Sequence, residues 1–240
     1  MYEPDIQSRP TEAPPTEGAP APPPPAPAPQ PKQEPRSLPD MIATALSWIM
    51  VPMFMPVYGM IFMFAFSVLS YAPLQTKLTV TAVIFGINAV VPMLIVLMLK
   101  FFGIIRDVGL NSRTERTLPY VVIILSFGCS AWFLWWHEAP LWGVMFFIGG
   151  MATGIVNLLI NFRWKISAHA AAAAGVGALL IRILHEGLPI AGGMAWLIIW
   201  ILLTGLLGSS RLWLGRHTPL QVLAGYCTGF LGVYLCMMAG

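Results

Sequence analysis

Apolar residues fill long runs along most of the chain, and polar residues gather in short segments between those runs. The apolar runs cover residues 42–71, 78–102, 119–137, 141–161, 168–185, 189–208 and 219–238. A helix needs about 20 apolar residues to cross a bilayer. The pattern therefore predicts an all-α integral membrane protein, a bundle of about six to seven transmembrane helices. The first run contains Pro52 and Pro56, so we expect a kink or a half-helix there.

The first 39 residues have a different composition from the rest of the chain. They hold 14 of the 22 prolines, with alanine, glutamate and glutamine between them. Such a segment samples polyproline II and does not form a packed core. We therefore divide the chain into a disordered Pro/Ala-rich tail, residues 1–39, and a multi-span membrane domain, residues 40–240. The tail is either a spacer or a segment that binds a partner whose identity is unknown.

Composition and charge narrow the possible functions. Hydrophobic residues make up 57% of the chain and charged residues only 10%, and the formal net charge is +3. So small a charge does not indicate a nucleic-acid-binding protein. The three cysteines lie inside apolar runs without the spacing of metal ligands. We expect no metal site and no other cofactor. The first partner that we expect is the lipid bilayer.

Counting crossings predicts which loops share a face of the membrane. Loops 103–118, 162–167 and 209–218 each follow an even number of spans, so they lie on the face that also holds the N-terminal tail. These loops and their borders carry eight lysine and arginine residues, whereas the opposite face has only Lys77 and Arg182. The positive-inside rule therefore favours the cytoplasm for the shared face.

One polar segment, residues 209–221, combines cationic and nucleophilic side chains at the end of a span. It contains Ser210, Arg211, His217 and Gln221. Thr218 followed by a proline is typical of a helix start, and Gln221 three residues later completes a capping box. Gln221 could equally accept a hydrogen bond from His217 one turn away.

Two earlier segments offer similar chemistry. Ser167 suits an N-cap, and His169 then falls in the first turn of a helix, where free N–H groups favour an anion. Arg113 and Arg116 would share one face of a helix, and paired guanidinium groups suit phosphate. Each segment has a simpler interpretation, because histidines occur at helix starts and arginines commonly flank spans.

The three segments together resemble the signatures of the type 2 phosphatidic acid phosphatase superfamily. Ser210-Arg211, five residues and His217 resemble the third signature, Ser-Arg-x5-His-x3-Asp. Ser167-Ala168-His169 resembles the second, Pro-Ser-Gly-His. Arg113 and Arg116, with a proline at 119, resemble a loose form of the first. The order is that of the family, and the similarity covers roughly residues 100 to 225.

That resemblance implies a metal-independent phosphatase that removes phosphate from a membrane lipid phosphate or an isoprenyl diphosphate through a phosphohistidine. By the resemblance, His217 is the nucleophile, His169 the proton donor and Gln221 the residue that orients His217. The remaining site residues would bind phosphate: Arg113, Arg116, Ser167, Ser210 and Arg211. The family's bacterial members work on the outer face of the inner membrane, so the resemblance implies the bacterial inner, or cytoplasmic, membrane. It conflicts with the cytoplasmic orientation that the positive-inside rule favours, and re-entry of the kinked first span would reverse that orientation.

The sequence departs from the family most clearly at Gln221, where the family has aspartate. A glutamine oxygen can fix the tautomer of the histidine ring but supplies no charge to a cationic phosphohistidine. The predicted enzyme would therefore be slow or specialised. The alternative function is a non-catalytic membrane protein that binds anionic lipid head groups.

Overall fold

The chain folds into a bundle of membrane-length helices, and the described residues contain no strand. The structure, a computed structural model, describes residues 37–104, 117–185 and 192–240. Within these ranges the α-helices are α1 (Leu38–Ile49), α2 (Met55–Phe66), α3 (Leu74–Phe85), α4 (Val91–Phe101), α5 (Thr117–Trp136), α6 (Leu141–Asn161), α7 (Ala168–His185), α8 (Gly193–Trp213) and α9 (Pro219–Met238).

Among the described residues, seven helical stretches are long and apolar enough to span a membrane, which confirms the predicted fold class. The first combines α1 and α2, the second combines α3 and α4, and α5 to α9 each form one. The bounds predicted for α6, α7 and α9 are those observed. The sixth span, predicted at 189–208, instead belongs to a helix that continues to Trp213.

A helix cap sets the beginning of the first span, and prolines set the break within it. Ser37 caps α1 in a capping box with Asp40, so the helix begins at Leu38, inside the segment that the sequence assigned to the tail. The α-helical pattern ends at Ile49, a 3₁₀ turn follows over Pro52–Phe54, and α2 begins at Met55. The break lies at the two prolines, as predicted, because proline lacks the N–H that an α-helix needs.

The second span is also interrupted, by a π-helical turn over Gly86–Val90. Pro92 lies in the first turn of α4 and supplies no N–H to the preceding turn, so the hydrogen-bond register changes there. The wider turn holds Asn88, which is 3% exposed. Its amide nitrogen donates to Ile84 O at 3.0 Å and to Ser130 Oγ on α5 at 2.6 Å. The bond to Ser130 ties the second span to the third.

Helices α7 and α9 pack closely because glycines on α9 face the backbone of α7. A Cβ on Gly225 would stand 2.5 Å from the carbonyl oxygen of Ser167, and a Cβ on Gly229 would overlap the carbonyl group of Ala171. Small residues let helices approach in lipid, where van der Waals packing drives association. This close packing sets the first turns of α7 and α9 side by side.

Two hydrogen bonds show which helix ends lie together. The backbone N–H of Ser167 donates to Gln221 O at 3.2 Å and joins the beginnings of α7 and α9. The indole N–H of Trp213 donates to Asp40 Oδ1 at 2.9 Å and joins the end of α8 to the beginning of α1. We call this side of the bundle the loop end.

Candidate functional site

The end of α8 forms a tight turn that brings Arg211 and His217 together. Gly215 has φ +62° and donates to Leu212 O at 2.9 Å, while the N–H of Arg216 donates to Arg211 O at 3.0 Å. This pair of bonds is a Schellman motif, in which glycine adopts the left-handed conformation just after the helix. The N–H of His217 also reaches Arg211 O, at 3.4 Å. The five residues between the two side chains are therefore one helix-terminating turn.

His217 is oriented by Gln221. The ring nitrogen Nδ1 lies 3.2 Å from Gln221 Oε1, and His217 is 8% exposed. The same Oε1 accepts a hydrogen bond from the backbone N–H of Thr218 at 3.2 Å, while the hydroxyl of Thr218 accepts one from Gln221 N. Gln221 thus completes the capping box and contacts the histidine at once, so both of its predicted uses coexist.

This arrangement fixes the proton on the histidine ring. A backbone N–H only donates, so the Gln221 atom that faces Thr218 N must be the carbonyl oxygen. Nδ1 of His217 must then carry the hydrogen of the bond to that oxygen. In the neutral ring the other nitrogen, Nε2, holds the lone pair. Attack through Nε2 needs this tautomer.

The beginning of α7 supplies the second polar segment. Ser167 is fully buried, and its hydroxyl accepts a hydrogen bond from the N–H of Ala170 at 3.4 Å, so it caps α7 as the sequence predicted. His169 is half-buried and lies two residues further, in the first turn. Because Ser167 N bonds Gln221 O, His169 and His217 each lie within one turn of the contact that joins α7 to α9.

Described hydrogen bonds join four of the eight predicted site residues, through the backbones of Ser167 and Gln221, the backbones of Arg211 and His217, and the side chains of His217 and Gln221. His169 lies at the same end of the bundle. Ser210 is buried, but its hydroxyl donates to Leu206 O of its own helix at 2.8 Å. The sequence assigned Ser210 and Arg211 to a loop, whereas both belong to α8. Arg113 and Arg116 lie outside the described residues.

The electrostatics of the loop end suit an anion. Helices α7 and α9 both begin here, and the beginning of a helix carries a partial positive charge and free N–H groups. Arg211 lies in the last turn of α8, the exposed Arg216 lies on the connecting turn, and Arg163 and Lys165 precede α7. From Ser209 to Gly240 the sequence has no aspartate or glutamate, and a described contact brings one acidic side chain to this end, Asp40 on Trp213.

Sequence reasoning missed one contact that shapes this region, the bond between Trp213 and Asp40. The two residues are 173 positions apart, and no local pattern joins them. The glycine at 215 was a usable signal, because glycine commonly follows the last residue of a helix. It would have extended α8 beyond residue 208 and placed Arg211 in its last turn.

Comparison of the chain with family models, with curated protein sequences and with solved structures gives no match. The resemblance to the phosphatase superfamily therefore rests on the three short sequence segments alone.

Proposed function

We propose that the protein is a membrane phosphatase that acts on a lipid phosphate or an isoprenyl diphosphate through a phosphohistidine on His217. The observation that carries the proposal is the hydrogen bond from His217 Nδ1 to Gln221 Oε1, beside the first turn of α7 that holds His169. Two histidines at adjacent helix beginnings, with arginine nearby, can supply the nucleophile, the proton donor and the cation that phosphoryl transfer through a phosphohistidine uses.

In the first step, the lone pair on His217 Nε2 attacks phosphorus, and the bond from phosphorus to the ester oxygen breaks. His169, protonated, gives its proton to the departing oxygen, so the lipid leaves as an alcohol. For a diphosphate substrate the leaving group is the lipid monophosphate. Arg211, Arg113 and Arg116 would hold the phosphoryl oxygens, with the N–H groups near Ser167 as further donors.

In the second step, His169, now neutral, takes a proton from water as the oxygen of that water attacks phosphorus. The phosphorus–nitrogen bond breaks, its electrons return to Nε2, and inorganic phosphate leaves. Throughout, Gln221 holds the Nδ1 hydrogen and so keeps the ring in the nucleophilic tautomer. Its neutral oxygen stabilises the cationic intermediate less than a carboxylate would.

The test is phosphate release by the purified full-length protein from phosphatidate, phosphatidylglycerol phosphate and an isoprenyl diphosphate, without added metal. We expect His217→Ala to abolish release and His169→Ala to lower it at least about 100-fold. The matched control is Ser209→Ala, because this exposed hydroxyl bonds only Gly205 O of its own helix among the described contacts. Equal release by all four proteins would end the proposal.

A second candidate function is a non-catalytic protein that binds anionic lipid head groups at the loop end. Gln221 favours it, because the residue that would stabilise the covalent intermediate is uncharged and is also engaged in a capping box. The discriminating experiment measures binding of phosphatidate in nanodiscs together with turnover. Binding that is weakened by Arg211→Ala, without phosphate release by the native chain, would favour this function over catalysis.

We further propose that the loop end faces the cytoplasm of a bacterial inner membrane. The lysine and arginine bias across the loops supports this orientation. A cysteine at Phe162, exposed at the loop end, and one at Glu138, exposed in the turn between α5 and α6, would report the two faces once the three native cysteines are replaced. A membrane-impermeant thiol reagent applied to intact cells should label the Glu138→Cys protein only, and the opposite pattern would reverse the orientation.

A further inference from the structure

A long apolar groove lies between α8 and α9, with α7 as its floor. Its volume is about 480 Å³, and small residues of α7 form its base: Ala173, Ala174 and Gly177. Trp200 on α8 and Phe230 on α9 stand on its two sides. The groove exists because consecutive helices diverge after the tight turn that joins them, while the small floor residues leave the space between them unfilled.

Specific contacts hold the shape of the groove. The indole N–H of Trp200 donates to Ala173 O at 2.9 Å and fixes one wall against the floor. At the side nearer the loop end, the hydroxyl of Tyr226 donates to Thr204 O at 2.6 Å and links α9 to α8. The groove is therefore formed before any ligand binds.

The depth of the groove matches the hydrocarbon layer. Tyr226 lies seven residues after Pro219, which is about 10 Å along a helix. The interfacial layer on each side of a bilayer is about 5–8 Å thick. If the turn between α8 and α9 lies in that layer, the groove begins below it and extends about 10 Å further, from Thr204 to Leu197. Only lipid chains or another apolar segment surround a protein at that depth.

The charged residues near the groove and the volume of the groove indicate which of these occupants it binds. The end of α8 and the turn above the groove carry Arg211 and Arg216, and a described contact places one acidic side chain there, Asp40 on Trp213. Two positive charges and one negative charge therefore lie where the head group of an occupying lipid would be. A second helix of about 10 Å diameter has a volume of roughly 800 Å³ over the same length, so it could cover the groove with one face but could not lie wholly within it. An extended hydrocarbon chain is much thinner.

We infer that the groove between α8 and α9 binds one hydrocarbon chain of an anionic lipid whose phosphate lies at the turn that carries Arg211, Arg216 and His217. The inference deepens the proposed function, on which the choice of a lipid phosphate as ligand rests. The lipid would reach the turn from within the bilayer, with its chain held between the two helices that the turn connects.

The experiment uses the full-length protein in phosphatidylcholine nanodiscs with a trace of phosphatidate that carries a photoreactive diazirine in the middle of one acyl chain. Irradiation and peptide mapping should place the label on groove residues of α8 and α9, such as Ile201 and Cys227. Gly177→Leu should reduce that labelling at least five-fold. A Cβ at Gly177 has Trp200 Cδ1 as its nearest neighbour, at 3.7 Å, so the larger side chain extends into open groove.

The matched control is Gly205→Leu, the same change on the exposed side of α8, where a Cβ meets nothing within 4 Å. It should leave labelling unchanged. Excess unlabelled phosphatidate should compete, and Arg216→Ala should weaken the competition. Cys227→Trp, which fills the groove from α9, gives a second variant in case Gly177→Leu does not fold.

Equal labelling of the groove by a diazirine phosphatidylcholine would overturn the inference, because the groove would then hold any lipid. A disulfide formed between copies at Cys227 under mild oxidation would overturn it in favour of a second chain. Phosphate release is not used as the readout. Selective, groove-dependent labelling without turnover would therefore support this inference while contradicting the proposed phosphatase.

Discussion

The imidazole of His217 is hydrogen-bonded through Nδ1 to Gln221 Oε1, at 3.2 Å, and that same oxygen caps α9 through the N–H of Thr218. One side chain therefore begins a transmembrane helix and sets the tautomer of the candidate nucleophile. A change at this position affects helix stability and ring chemistry together, so variants must be chosen to separate the two.

Gln221→Glu keeps the length and the acceptor oxygen and adds a negative charge beside the ring. We expect turnover of a lipid phosphate to rise about tenfold or more, because a carboxylate stabilises a cationic phosphohistidine. Replacement of an orienting carboxylate by an amide costs a serine protease about 10⁴ in rate, which is an upper guide here. Steady-state phosphate release measures the effect. Gln221→Ala should release less than the native chain, and a rate unchanged in both variants would remove Gln221 from the mechanism.

Gly215→Ala should destabilise the protein by about 1 kcal/mol, because φ is +62° at this position and a Cβ is strained in the left-handed region. Gly205→Ala should have the opposite sign and stabilise by up to about 1 kcal/mol, since it lies in α8 with open space around the new methyl group. Thermal unfolding in detergent measures both. Equal effects of the two changes would show that the turn after α8 is not formed as described.

Gly229→Ala should be among the most damaging single-methyl changes in the chain. The added Cβ would overlap backbone atoms of Ala171, so α7 and α9 must separate, and overpacking of this kind costs about 1–3 kcal/mol or more. Gly177→Ala is the control, because its Cβ would make only ordinary contact with Trp200. A melting temperature unchanged in Gly229→Ala would contradict the close packing of these two helices.

Asp40 and Trp213 should behave as a coupled pair. Trp213→Phe removes one hydrogen bond to a carboxylate and should cost about 1 kcal/mol. Asp40→Ala also removes the bond from Ser37 N to the Asp40 carboxylate, which is one half of the capping box of α1, and should cost about 2 kcal/mol. The double variant should cost less than the sum of the single changes, since both remove the same bond. Strict additivity in a double-mutant cycle would show that the contact contributes nothing.

The spans were predictable because hydropathy, helix caps and proline act locally. Thr218, followed by proline and completed by Gln221, marked the start of α9 to the residue, and Pro52 marked the break in the first span. Each of these signals depends on side chains within four positions of one another, so the sequence alone contains the information.

The candidate site was only partly predictable, because its parts meet through tertiary packing. Counting the membrane crossings placed the segments of His169 and His217 on one face of the membrane. The bond from Ser167 N to Gln221 O, however, depends on Gly225 and Gly229 fitting against α7. The groove beside Trp200 likewise results from several helices packing together. A periodicity of apolar residues cannot distinguish a filled interface from an open one.

The tie between Asp40 and Trp213 has a mechanical consequence. The proline-rich arm joins the bundle at Ser37, and Asp40 lies one turn further, bonded to the last residue of α8 just before the turn that leads to His217. A shift of the first turn of α1 would therefore pull on the last turn of α8 through a single indole hydrogen bond, four residues before His217.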